Sequence, residues 1–246
     1  MIDTHAHLDA CEDPPEQLVE RAREAGVQRI LTVGTTVAGS REALALAERH
    51  GEVFAILGIH PHEAGGTDDV AELRDLLGHE RAVAVGETGL DFYRDWSPRE
   101  RQRELFERHL ELASELGKAV VIHTRAADRQ TLDVLAGFAG DVVLHCFSSP
   151  PMLRDALERG YYVSFAGNVT YKNAAELRVA ATQVPAERLL TETDSPYLAP
   201  QPKRGRPNEP ANVVHTLDAL AEARRTDRDE LEAQIDANAQ RVFGLP

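Results

Sequence analysis

The sequence predicts an α/β fold, a single (β/α)8 or TIM barrel with a short extra helix at its C-terminus, and three observations carry that expectation. Short apolar, β-branched runs recur eight times with stretches of helical period between them, the alternation that builds parallel strands joined by crossover helices. The chain has 246 residues, close to the size of one such barrel. Metal-capable side chains fall at the C-terminal ends of the strands, where these barrels place their chemistry. A doubly wound open sheet alternates in the same way, but it needs a glycine-rich phosphate turn after its first strand. This chain has Thr4-His5-Ala6-His7 there.

Taken in order, the first strand starts at Ile2 and runs into the two histidines. A helix with apolar positions Leu18, Val19, Ala22 and Ala25 follows and stops at Gly26. The next strands cover residues 29–33, 53–59 and 82–85. Ser97-Pro98-Arg99-Glu100 then announces a helix, with a hydroxyl at the cap, proline at the first helical position and glutamate three residues after the cap. Its positions Leu105, His109, Leu112 and Leu116 end at Gly117, and His109, like His50, His79 and His215, is expected on a helix surface. The last four strands cover residues 119–122, 142–144, 161–165 and 188–190. Residues 212–243 read as the eighth helix plus a short closing helix. No linker, internal repeat or low-complexity tract interrupts the pattern, so one domain is expected over residues 1–246.

Composition narrows the function. Lys and Arg number 27 against 41 Asp and Glu, a formal net charge of −14. A chain this acidic is repelled by polyanions unless positive charge is gathered locally or imported as metal, so generic coating of duplex DNA is excluded. The N-terminus has neither a basic segment nor an apolar core of a signal peptide, and no apolar run reaches the roughly 18 residues of a membrane span. Cys11 and Cys146 are the only cysteines, which leaves no disulfide framework or thiolate zinc knuckle. A cytoplasmic setting is expected, with no membrane and no obligate protein partner.

The chemistry lies at the strand ends. His5 and His7 end strand 1, and at roughly 3.3 Å of rise per residue they point the same way about 7 Å apart, within reach of one cation. Glu87 follows strand 4, His123 strand 5, His145 strand 6 and Asp194 strand 8. Each alone has an ordinary explanation: a solvated histidine pair, a helix-dipole carboxylate, a core imidazole, a turn aspartate. All of them falling at strand ends does not. Four imidazoles and two carboxylates exceed what one ion needs and suit two divalent cations sharing a carboxylate. His60 and His62, in Gly58-Ile59-His60-Pro61-His62, are expected to contact substrate on the same rim, as are Arg125 and Arg204, with Lys172 and Arg206 near an approaching anion. Tyr93 and Trp96 can either stack a nucleobase or cap a helix. Ser195 lacks a glycine elbow and is not read as a nucleophile; Cys146 is read as a buried small residue.

These segments resemble the TatD-type metal-dependent hydrolases of the amidohydrolase superfamily across essentially the whole chain. IDTHAHLD, GETGLDFYRD, VIHTR, LHCFS, TETDSPYLAP and RGRPNEP stand in the family's order and spacing, with Pro207 replacing a common basic residue before NEP. The resemblance implies a TIM-barrel hydrolase, a deoxyribonuclease working 3′ to 5′ on DNA ends with single strands preferred. It also implies that His5, His7 and Asp194 hold one ion and His123 and His145 the other, with Glu87 bridging; Glu87 and Asp194 are the candidate catalytic carboxylates, Asp194 to orient or deprotonate the attacking water. Mg²⁺ or Mn²⁺ is expected for activity, whereas the nitrogen-rich ligand set suits Zn²⁺ as a bound ion. Hydrolysis of a small amide or ester, as in other amidohydrolases, is the alternative.

Overall fold

The computed structural model describes residues 1–246. Its strands are β1 (Ile2–Ala6), β2 (Arg29–Gly34), β3 (Val53–Leu57), β4 (Ala82–Asp91), β5 (Ala119–Arg125), β6 (Val142–Leu144), β7 (Tyr162–Phe165) and β8 (Leu189–Thr191). Helices α1 (Pro15–Glu24), α2 (Val37–Arg49), α3 (Leu73–Leu77), α4 (Arg99–Leu116), α5 (Asp128–Val134), α6 (Leu153–Glu158) and α7 (Ala175–Gln183) stand between consecutive strands, and α8 (Val213–Arg224) and α9 (Arg228–Phe243) follow β8. The eight strands form one sheet in the order of the chain, which is the (β/α)8 topology. No helix is long and apolar enough to cross a membrane.

The chain divides into two compact units, Met1–Thr32 with His145–Pro246, and Val33–Leu144. The first is the closing unit, because it joins the first strand to the segment after the last. Ala6 bridges Ser195 in parallel, Asp194 N–H donates to His5 O at 2.9 Å, and His7 N–H donates to Ser195 O at 2.7 Å. Its core includes Ile2, Leu8, Phe147, Tyr162 and Phe165, all essentially inaccessible to water. The closing helix α9 is not short. It has 16 residues against 12 in α8, and Asn238 on it donates to Ala186 O and Leu189 O at 2.7 and 2.9 Å. The N-terminal ammonium lies 3.1 Å from both Glu232 and Asp236 of the same helix.

In the second unit β4 is the organising strand. All ten of its residues are buried, and it continues six residues beyond the expected end at Val85. Gly86 and Gly89 lie inside this extension. The register against β5 slips between Val85 and Thr88, as at a bulge, and pairing resumes with Gly89 opposite His123 and Asp91 opposite Arg125. Gly89 has φ +134°, and a Cβ there would stand 2.1 Å from His123 O, so only glycine lets β4 run this close to β5.

Helix α4 starts at Arg99, one residue later than the sequence suggests, and Ser97 does not cap it. Its hydroxyl instead donates to His62 O at 2.6 Å and accepts from Gly65 N–H at 3.0 Å, fixing the loop after β3. His109 is not on the surface either. It is fully buried; Nδ1 donates to Leu105 O at 2.7 Å, and Nε2 accepts Ile59 N–H at 3.1 Å. The apolar spacing that predicted α4 counted His109 in its inward stripe, and that stripe decides its place.

Burial lowers the His109 pKa from the ordinary 6.5 to about 4. The unfolded chain therefore binds a proton that the folded one refuses, and stability falls as the pH drops from about 6.5 towards 4. Urea denaturation of the wild type and of His109→Gln at pH 7 and pH 5 checks this. The wild type should lose on the order of 1–2 kcal/mol more than the variant across that interval.

Candidate metal centre

In the closing unit three donors converge. His5 Nε2 and His7 Nε2 are 3.3 Å apart, and His7 Nε2 is 3.5 Å from Asp194 Oδ1. One donor atom from each of the three residues lies within 4.8 Å of the other two. Metal–nitrogen and metal–oxygen bonds of about 2.0–2.2 Å put neighbouring ligands of a tetrahedral ion roughly 3.3–3.5 Å apart, so the donor set fits one divalent cation. Main-chain pairing creates the convergence, since the same bonds that join β1 to the residues after β8 bring Asp194 beside His5. Asp194 takes a positive φ of 54°, a conformation that aspartate tolerates better than most residues.

Burial pushes the Asp194 carboxyl up, but the hydrogen bond with His7 and the nearby imidazoles of His145, His7 and His5 outweigh it and hold the group below its ordinary range. It is an anion at neutral pH. His145 stacks on His5 with ring centroids 4.0 Å apart and planes at 16°. Its Nδ1 is 3.2 Å from Glu192 Oε1, an oxygen that also accepts Cys146 N–H at 2.7 Å. A ring that donates from Nδ1 to a carboxylate carries its lone pair on Nε2, the usual arrangement of a ligating histidine. Cys146 itself is half-buried, more open than expected, and turns the chain with φ 46°.

A second constellation occupies the Val33–Leu144 unit. His123 Nδ1 is 2.9 Å from Glu87 Oε1, and His60 Nε2 is 3.3 Å from the same oxygen. His60 Nδ1 accepts the His62 N–H at 3.1 Å, so the neutral ring carries its proton on Nε2, directed at Glu87. Burial is the main reason its pKa falls to about 4, against the opposing pull of Glu87, so that ring is neutral. His60 thereby orients the carboxylate that the sequence assigned to metal. His60, His62 and His123 also satisfy the spacing of a metal-capable group.

Three carboxylates beneath these histidines escaped the sequence reading. Asp91 Oδ2 lies 2.7 Å from His62 Nε2 and 3.3 Å from His123 Nε2, while Oδ1 accepts the N–H groups of Tyr93 and Arg94 at 2.9 Å each. Burial works against its ionisation, but the bonds from His123, Arg94 and His62 prevail and hold its pKa far below the ordinary carboxylate value. Glu192 faces His145 in a comparable way, with Oε1 3.2 Å from Nδ1. Asp3, fully buried, accepts Thr193 N–H and Oγ1–H at 2.8 and 2.6 Å, yet burial still raises its pKa to about 8. The available signal was position: Asp3, Glu192 and Asp91 each stand two to four residues from an assigned ligand on the same strand or its extension. Of the remaining residues named from sequence, Arg125 lies over the Tyr93 ring at 4.0 Å and Arg204 over the Tyr171 ring at 4.4 Å. Ser195 is fully buried.

The family described as TatD related DNase matches residues 2–244. This chain belongs to that family. It is 42% identical over its full length to a Mycobacterium tuberculosis relative named uncharacterized metal-dependent hydrolase TatD, 98% of which is covered. Over 93% of the chain it is 40% identical to a Cronobacter sakazakii protein named 3′-5′ ssDNA/RNA exonuclease TatD, covering 91% of that protein. A crystal structure of the Escherichia coli TatD homolog YJJV superposes with a TM-score of 0.92 at 32% identity, covering all of this chain and 98% of the other. The chain is thus a TatD-family metal-dependent hydrolase with a TIM-barrel fold and histidine and carboxylate clusters able to bind metal.

The carboxylates Asp91 and Glu192 fix the direction of the imidazoles they face. Asp91→Asn keeps the Oδ1 acceptor for Tyr93 and Arg94 but removes the charge facing two imidazoles, and Glu192→Gln does likewise at His145. Each should weaken divalent-metal affinity about 10- to 100-fold, as read by competition with a fluorescent chelator, with the far-UV circular dichroism unchanged.

Proposed function

We propose that this chain is a divalent-metal-dependent exonuclease that shortens DNA from its 3′ end, single strands preferred, by hydrolysing the terminal phosphodiester. The observation that carries the reading is the cation-sized convergence of His5, His7 and Asp194, in a chain 40% identical to a relative named 3′-5′ ssDNA/RNA exonuclease. In this proposal His5, His7 and Asp194 hold one ion. Glu87, His123 and His145 are ligands in a two-ion complement, Mg²⁺ or Mn²⁺ for activity and Zn²⁺ as a possible bound ion. Divalent ions supply Lewis acidity towards a phosphoryl oxygen and make water a better nucleophile.

The remaining work belongs to the side chains. Asp194, an anion whose oxygen already faces His7, is placed to accept the proton of the attacking water. The water oxygen bonds to phosphorus, the P–O3′ bond breaks, and a proton returns to O3′ of the shortened strand. A nucleoside 5′-monophosphate leaves. Glu87 is kept in one orientation by His60 and His123. Arg125 and Arg204, each exposed and resting on a tyrosine ring, offer positive charge to the strand's phosphates. DNA strand ends are the proposed partner, and the site stays cytoplasmic in this reading.

The test is a 5′-labelled single strand incubated with protein loaded with Mg²⁺ or Mn²⁺. A ladder of products shortened from the 3′ end is expected, abolished by chelator and lowered at least 100-fold in Glu87→Ala and Asp194→Asn. Intact strand in both ions, with Glu87→Ala indistinguishable from wild type, overturns the proposal, as does turnover confined to an amide or ester panel.

A further inference from the structure

Two large aromatic side chains stand largely in water. Tyr93 and Trp96 are 66% and 64% exposed, although the sequence allowed them to cap a helix. A cap would be buried, so that role is excluded. Both rings lie on the segment that leaves the end of β4, and each carries a guanidinium on its face: Arg125 stands 4.0 Å from the Tyr93 centroid and Arg94 5.0 Å from that of Trp96. Trp96 also packs against His62, with centroids 4.5 Å apart. The neighbouring Arg99 is paired with Asp95 at 3.1 Å and also lies over the Phe92 ring at 4.4 Å.

This ledge is firmly anchored. Asp91, whose Oδ2 faces His62, uses Oδ1 to accept the N–H groups of Tyr93 and Arg94. Gln102 of α4 accepts the Asp91 N–H at 2.9 Å and donates to Ser97 O at 2.8 Å, clamping both ends of the segment. One buried carboxylate therefore fixes a site histidine and the aromatic ledge together. In a chain of net charge −14, exposed rings interleaved with arginines form a local surface suited to a flat, electron-rich group attached to an anion.

We propose that Tyr93 and Trp96, flanked by Arg94 and Arg125, are a stacking platform for unpaired nucleobases of a single-stranded nucleic acid, beside the His62 edge of the site. The proposal rests on the nuclease reading and extends it by making the base face, as well as the phosphate, a recognised group. Every base has such a face, so recognition tolerates sequence; a duplex hides it, so single strands are favoured.

Trp96 is the chain's one tryptophan, and its fluorescence reports from this surface alone. Metal-loaded protein is titrated with a single-stranded oligothymidylate bearing phosphorothioate linkages at its 3′ end, and with an abasic strand of equal length and charge. The base-bearing strand should quench Trp96 and bind at least tenfold more tightly than the abasic one. By anisotropy of labelled strands, Trp96→Ala and Tyr93→Ala should each weaken the base-bearing strand about 5- to 100-fold and leave the abasic strand's affinity and the metal content unchanged, whereas Trp96→Phe and Tyr93→Phe should each keep the preference for the base-bearing strand. Equal affinity for the two strands, or variants that bind as the wild type does or lose metal, overturns the platform. If the wild type binds neither strand and shortens none, the nuclease reading itself fails.

Discussion

The arrangement on which the rest depends is a histidine held by a carboxylate that main-chain N–H groups hold in turn. Asp91 grips His62 and His123 while accepting from Tyr93 and Arg94; Glu192 grips His145 while accepting from Cys146. Buried carboxylates are costly unless fully bonded, and bonds to charged groups are roughly twice as strong as neutral ones. The hydrogen-bonding pattern therefore fixes ring direction before any ion arrives.

Charge has two separate uses in this chain. On the helices, pairs such as Arg103–Glu107 and Arg154–Glu158 are exposed and of i,i+4 spacing, worth a few tenths of a kcal/mol each at most. At the strand ends the carboxylates are buried, aimed at imidazoles and concentrated within a few ångströms. The net −14 is thus mainly a property of the solvated exterior. Imported cations and ring-borne arginines offset it where an anionic substrate is proposed to arrive.

Much of this was legible in the sequence because barrel strands report themselves strongly: eight buried apolar runs gave eight strands, most within a residue of their observed limits. His5, His7 and Asp194 were legible as a trio, since main-chain pairing places the first strand beside the residues after the last. β4 was read too short because its apolar run stops at Val85, whereas Gly86 and Gly89 allow a register slip and a close approach to His123 that carry the strand on to Asp91. His109 was misplaced because a histidine on a helix is usually solvated, and a tertiary bond to Ile59 overrode that tendency. Asp3, Asp91 and Glu192 were invisible as supports because their partners are set by the fold.

The central claim is that these histidine and carboxylate clusters are built, before any ion is present, to hold a divalent cation. The most direct measurement is the urea midpoint of chelator-treated protein with and without added Mn²⁺ or Zn²⁺. The account predicts a midpoint that climbs with ion concentration, by roughly 2.7 kcal/mol of stability at 100 times the dissociation constant, without a change in slope. A midpoint that stays fixed across the titration with both ions would contradict it.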